Sequence, residues 1–175
     1  MLYTALKYGL PAGALAIGLI ILHSFVVGTE YTGSEQVIGY AIIFLCLLAI
    51  PVGIARYRAQ HVSAMPDHRF TFGHGTVAGI GISVAATVAY VIGWEIWLAA
   101  TDYAFIAQFA EGVMELERAR GASAAELAEL QANMDQMVEL YSNPLIRPFL
   151  SALEILPAGL LVSLLSALLL RKSAS

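Results

Sequence analysis

Three ionisable side chains sit inside stretches that otherwise read as lipid-soluble. Glu95 lies in "VAGIGISVAATVAYVIGWEIWLAA", Glu154 in "SALEILPAGLLVSLLSALLL", and His23 near the end of the first apolar run. An unpaired charge near the membrane centre costs at least ~2.5–3.5 kcal/mol, so such residues tend to face the bundle interior and find partners. Glu95 is seven residues before Asp102, Glu154 seven after Arg147, and His23 seven before Glu30. At 1.5 Å per helical residue each lies about 10 Å along its helix from a flanking charge, which predicts one shared outer-leaflet depth. Three chemistries fit. The carboxyls are protonated or interfacial and hydrogen-bond to backbone, to tryptophan N–H or to the extramembrane segment, with Trp94 and Trp97 as an aromatic belt. Alternatively, Glu95, Glu154 and His23 form a polar lock between three spans. In the third reading they form a proton, cation or ligand site in which neighbouring carboxylates share a proton. Pro157 adds a freed carbonyl at Leu153, beside Glu154.

Other chemistry is thinly represented. His61, His68 and His74 are spaced by seven and six residues with only Asp67 nearby, a poor metal pattern, and read as interfacial histidines. A haem between His23 and His74 would join opposite faces of the membrane. The single cysteine, Cys46, is mid-span and supports neither a disulfide within the chain nor a thiolate metal site. No phosphate loop, G-x-S-x-G elbow or H-E-x-x-H motif is present. "GHGTVAGIG" opens an apolar helix without a preceding strand, so its glycines read as packing. No basic outer face suits a nucleic acid. The expectation is no enzyme, no cofactor and no metal.

The elements that position these residues follow from composition. The chain is 59% hydrophobic and 13% charged, against about 25% charged in soluble domains. Four runs reach the roughly 20 apolar residues a membrane helix needs: 6–27, 37–56, 76–100 and 148–170. The first is too long for a signal-peptide core and lacks a cleavage site, so it reads as a retained anchor. Lys7, Arg56, Arg58, Arg69, Arg171 and Lys172 are six of the nine basic residues and share one side with both termini. The positive-inside rule makes that side the cytoplasm. Segment 101–147 carries eight acidic and three basic residues and belongs outside. Within it, Phe105, Phe109, Val113 and Leu116 keep one helical face apolar. Gly121 suits a C′ position, and "SAAE" at 123–126 is a capping box. Leu127, Leu130, Met134, Met137 and Tyr141 then follow a heptad seam. The expected fold is all-α: an integral membrane bundle of four spans with an extramembrane antiparallel hairpin between spans three and four. Residues 1–100 hold spans one to three, 101–147 the hairpin, and 148–175 the last span, opened by Pro148, and the tail.

Small residues recur every fourth position: Gly9 and Gly13; Ala49 and Gly53; Gly75, Gly79 and Ser83; Gly159, Ser163 and Ala167. Such stripes let helix backbones approach. "LKYGLPAGAL", "VGIARYR", "FTFGHGTVAGIGISVAATVAYVIGWEIW", "GASAAEL" and "NPLIRPFLSALEILPAGLLVSLLSALLLRK" together resemble the bacterial membrane family known as domain of unknown function 4199. The resemblance covers essentially the whole chain and implies four spans with an extended segment between the last two. It implies no activity and no functional residue. The expectation is a small bacterial inner-membrane protein, non-enzymatic, whose hairpin binds a second copy or another envelope protein. The alternative is a proton-coupled transporter using Glu95, Glu154 and His23. The lipid bilayer is the one partner that composition itself demands.

Overall fold

The computed structural model describes residues 1–27, 33–64 and 68–171. Glu30, Asp67 and Lys172, which entered the depth and charge arguments, lie outside the described residues. The regular structure among the described residues is helical: α1 (Leu2–Val27), α2 (Glu35–Leu47), α3 (Ala49–Ala64), α4 (Phe72–Ala100), α5 (Ala104–Ala119), α6 (Ala124–Ser142) and α7 (Arg147–Leu170). Four helical stretches are long and apolar enough to cross a membrane: Leu2–Val26, Glu35–Ala64, Phe72–Ala100 and Arg147–Leu170.

The helices start earlier than the apolar runs because capping, not hydropathy, decides a helix end. At α4, Thr71 accepts the His74 amide through its hydroxyl at 3.4 Å, and His74 Nδ1 accepts the Thr71 amide at 3.2 Å. "GHG" is therefore the first turn of the helix. The second span is two helices broken at Leu48. Pro51 has no amide to give to the carbonyl of Leu47, so the ladder loosens there. Pro11 and Pro157 lie inside α1 and α7, which continue through them.

The glycines report the order and direction of packing. α4 is the central helix, with 50% of its apolar window buried against 28–33% in the other spans. A Cβ on Gly9 would meet Ile82 and Ala85, one on Gly13 would meet Ala86, and one on Gly93 would meet Ile17. Numbers rise together, so α1 and α4 are parallel. Gly75 faces Ala167, Gly79 faces Ser163, and Gly159 faces Ser83, so α4 and α7 are antiparallel. Leu47 beside Gly159 and Ile54 beside Gly79 make the second span, α2 with α3, antiparallel to α4 as well. The starts of α1 and α4 and the ends of α3 and α7 thus share one end of the bundle, and α5 and α6 belong to the other.

At the α4–α7 crossing the stripes pair reciprocally, and Ser83 and Ser163 meet at 2.9 Å, both fully buried. Each hydroxyl also reaches its own helix, Ser83 to the Gly79 carbonyl at 3.0 Å and Ser163 to that of Gly159 at 2.7 Å. Hydrogen bonds between membrane helices contribute about 0.6 kcal/mol on average, because the separated helices find other partners. Ser83→Ala should therefore cost about 0.6 kcal/mol in detergent unfolding. A loss comparable to that of a glycine substitution in the same stripe would show that the hydroxyls, not the close approach, hold the crossing.

α5 and α6 touch each other. Gly121 stands at φ 83 just past the end of α5, a left-handed position suited to glycine. Ser123 and Glu126 then make the capping box, with the Ser123 amide to Glu126 Oε2 at 2.7 Å and the Glu126 amide to Ser123 Oγ at 3.3 Å. Those bonds hold the Glu126 carboxyl below its ordinary range. The burial differs from expectation on α5. Phe109, Val113 and Leu116 are half-buried, whereas Ile106, Ala110 and Met114 form the buried line. An apolar face about 100° wide holds two such stripes, and spacing alone does not rank them. On α6, Leu127, Leu130, Met134, Met137 and Tyr141 are all half-buried, and no residue of that helix is fully buried.

Candidate functional site

Glu95 is held by Arg147. Arg147 Nε donates to Glu95 Oε1 at 2.8 Å and Nη2 to Oε2 at 2.6 Å, a two-point fork. Its Nη1 donates to the carbonyl of Tyr141 at 3.2 Å, and its guanidinium lies 4.6 Å from the centre of the Tyr103 ring. Asp102 and Tyr103 connect α4 to α5 with φ 49 and 57. A left-handed backbone at a tyrosine costs roughly 1–2 kcal/mol. The same turn brings its ring to the guanidinium. With only 7% of its side chain exposed, Arg147 is the least solvated cation of the fold's described ion pairs.

Glu154 belongs to a second set of contacts. Tyr90 on α4 donates its hydroxyl to Oε2 at 2.9 Å, and Tyr141 at the end of α6 donates to Oε1 at 3.0 Å. Burial and the nearby Glu154 carboxylate push the Tyr141 phenol above its ordinary range, which keeps it a proton donor. Tyr141 thus ties α6 to α7 twice, through its carbonyl to Arg147 and through its hydroxyl to Glu154.

These contacts correct the depth argument. Arg147 is not a free flanking charge; it is paired with Glu95 across the bundle. Because α7 runs antiparallel to α4, Glu154 lies opposite Tyr90, five residues from Glu95. At 1.5 Å per residue the two contacts lie about 8 Å apart along α4 and about 10 Å apart along α7. Among the described residues no hydrogen bond joins Glu95 to Glu154 or His23, and both Glu95 oxygens accept from Arg147. Glu154 and His23 do share one feature, a cavity of about 690 Å³. It is walled by α1, α2 and α4 and covered by α5 and α6. Tyr40, Tyr90 and Tyr141 line it as well.

Trp94 and Trp97 both line this cavity, and Trp94 is 7% exposed. The expected aromatic belt is therefore corrected for Trp94, which is covered edge-on by Phe105 at 5.3 Å between ring centres. Trp97 is half-buried and packs against Phe25 at 5.2 Å. At the opposite end of the bundle, His61 is buried and its ring lies tilted against His74 at 4.7 Å between centres, beside Phe70 and Tyr57. Among the described residues no group of three metal-ligating side chains is found.

Sequence reasoning missed Arg147, Tyr90 and Tyr103 as partners. Arg147 carried a signal, since of the three arginines in the acidic segment it is the one that opens an apolar span. Tyr90 carried none, because one tyrosine in an apolar run is ordinary.

The fold defines a helical protein of four candidate membrane spans, with two further helices at one end of the bundle beside the contacts of Glu95 and Glu154. Residues 7–172 match the family described as Protein of unknown function (DUF4199), and the chain belongs to that family. No curated protein and no solved structure matches the chain.

Proposed function

We propose that this is a non-enzymatic accessory protein of the bacterial inner membrane. In this reading α5 and α6 form an antiparallel hairpin on the outer side, presented to a partner by the four-span bundle. The carrying observation is the double fastening of α6 through Tyr141 and Arg147. A segment serving only as a connection between spans needs no such fastening, whereas a docking arm gains by being ordered before it binds. The positive-inside rule supports the orientation, since Lys7, Arg56, Arg58, Arg69 and Arg171 gather at the end of the bundle away from α5 and α6.

Charge favours the kind of partner. α6 carries Glu126, Glu129, Asp135 and Glu139 and no lysine or arginine. Two such helices face to face would repel, so an envelope protein with a basic surface fits better than a second copy. The test compares the detergent-purified full chain with one lacking residues 103–142. The full chain should retain a partner whose release rises with salt, or should dimerise, and the shortened chain should do neither. If both forms are monomeric and hold the same partners, the hairpin has no docking role.

A proton-coupled transporter remains the second reading, supported by Glu154 and His23 on one cavity. The occupation of Glu95 by Arg147 counts against the three-residue version of it.

A further inference from the structure

The cavity beneath α5 and α6 has its own chemistry, independent of any docking by the hairpin. Its volume of about 690 Å³ falls within the roughly 300–1,000 Å³ of small-molecule sites. Two carboxylates line it, Glu154 and Glu35, and no lysine or arginine does. Glu35 accepts the Gly33 amide at 2.8 Å. Glu154 receives only the two tyrosine hydroxyls and makes no ion pair among the described residues. Hydroxyl dipoles orient a carboxylate without neutralising it, and a charge buried among apolar groups favours a counter-charge. The wall around it is aromatic, with Tyr40, Tyr90, Trp94, Trp97 and Tyr141. Ring faces attract cations within about 6 Å of their centres. His23 is the one lining side chain able to become cationic, and no hydrogen bond joins it to Glu154 among the described residues.

We propose that this cavity binds a lipophilic organic cation, an ammonium or phosphonium bearing apolar groups, with Glu154 as its counter-ion and the aromatic wall as its cage. A small inorganic cation fits poorly, because it needs several oxygen ligands converging on one point, and no cluster of three metal-ligating side chains occurs among the described residues. A neutral or anionic amphiphile would leave Glu154 uncompensated or add repulsion. Ile20, Ile42, Ile43 and Phe109 supply the apolar remainder of the wall.

The chain's two tryptophans both line the cavity, so intrinsic fluorescence of the intact detergent-purified protein reports occupancy. The probe is tetraphenylphosphonium, compared with tetraphenylborate, an anion of nearly the same shape. The expected result is saturable quenching by the cation and none beyond micelle partition by the anion. Glu154→Gln should weaken cation binding roughly tenfold or more, the scale of a desolvated charge pair. Tyr40 is 44% exposed, so Tyr40→Leu should spare the fold while weakening binding roughly threefold. Equal saturation by both ions overturns the proposal, as does unchanged affinity in a folded Glu154→Gln protein. Should Glu154→Gln fail to fold, Tyr40→Leu decides: undiminished affinity there overturns it too.

Discussion

Gly13→Ala should be the most damaging single-methyl change in this protein. The new Cβ would fall on the carbonyl oxygen of Ala86, with the Ala86 carbonyl carbon at 2.8 Å and its Cα at 3.0 Å. The obstacle is backbone, so no rotamer change relieves it. Nor can α4 retreat, since Ser163 and Gly159 of α7 press on its other side. Overpacking a well-filled interior costs typically about 1–3 kcal/mol and occasionally more. Here the expected loss is about 3 kcal/mol or above, read as a lowered unfolding midpoint in detergent and a broadened elution profile. The control is on the same helix. A Cβ at Gly18 meets nothing within 4 Å, so Gly18→Ala should be neutral or stabilise by up to about 1 kcal/mol through helix propensity. Equal midpoints for the two variants would mean that α1 does not pack on α4 through Gly13.

Removing Arg147 should produce the second large effect. Arg147→Ala strands Glu95 without its fork, frees the Tyr141 carbonyl and removes the cation from the Tyr103 ring. Breaking a buried pair by deleting one partner costs about 3–5 kcal/mol, most of it the burden of the charge left behind. Glu95 keeps 28% of its side chain exposed, which places the expected loss near the lower bound, about 3 kcal/mol. Arg147→Lys should recover only part of it, because an ammonium cannot make the parallel two-point contact. The double variant Glu95→Gln with Arg147→Met should be more stable than Arg147→Ala alone, since it leaves no unpaired charge. Thermal unfolding of the four proteins in one detergent measures these differences. If Arg147→Ala stays within about 0.5 kcal/mol of the parent, the pair is solvated and fastens nothing.

Arg147→Ala also bears on the proposed docking arm. Loss of Arg147 frees the Tyr141 carbonyl at the end of α6, yet the Tyr141 hydroxyl still reaches Glu154. Partner retention should therefore weaken in Arg147→Ala and fail in Arg147→Ala combined with Tyr141→Phe. Cation binding in the cavity depends instead on Glu154 and separates the two readings.

The residues themselves determined that this chain is all-helical and carries four candidate spans, because twenty consecutive apolar residues leave a backbone few other ways to satisfy its polar groups. They also determined the local joints: the capping box at Ser123, the left-handed glycine at 121 and the small-residue stripes. Each depends on atoms a few positions apart. Tertiary structure decided which polar groups meet. Whether Glu95 faces Arg147 or Glu154 depends on the antiparallel register of α4 and α7, and a shift of one turn changes every pairing. Spacing from flanking charges placed both acids at one depth, on the premise that Arg147 marks the membrane edge. The folded bundle instead buries Arg147 against Glu95, where a fork of two short hydrogen bonds to the carboxylate compensates lost hydration. The cavity was likewise invisible in the linear chain: His23, Tyr40, Tyr90, Tyr141 and Glu154 come from five different helices, and only packing assembles them around one volume.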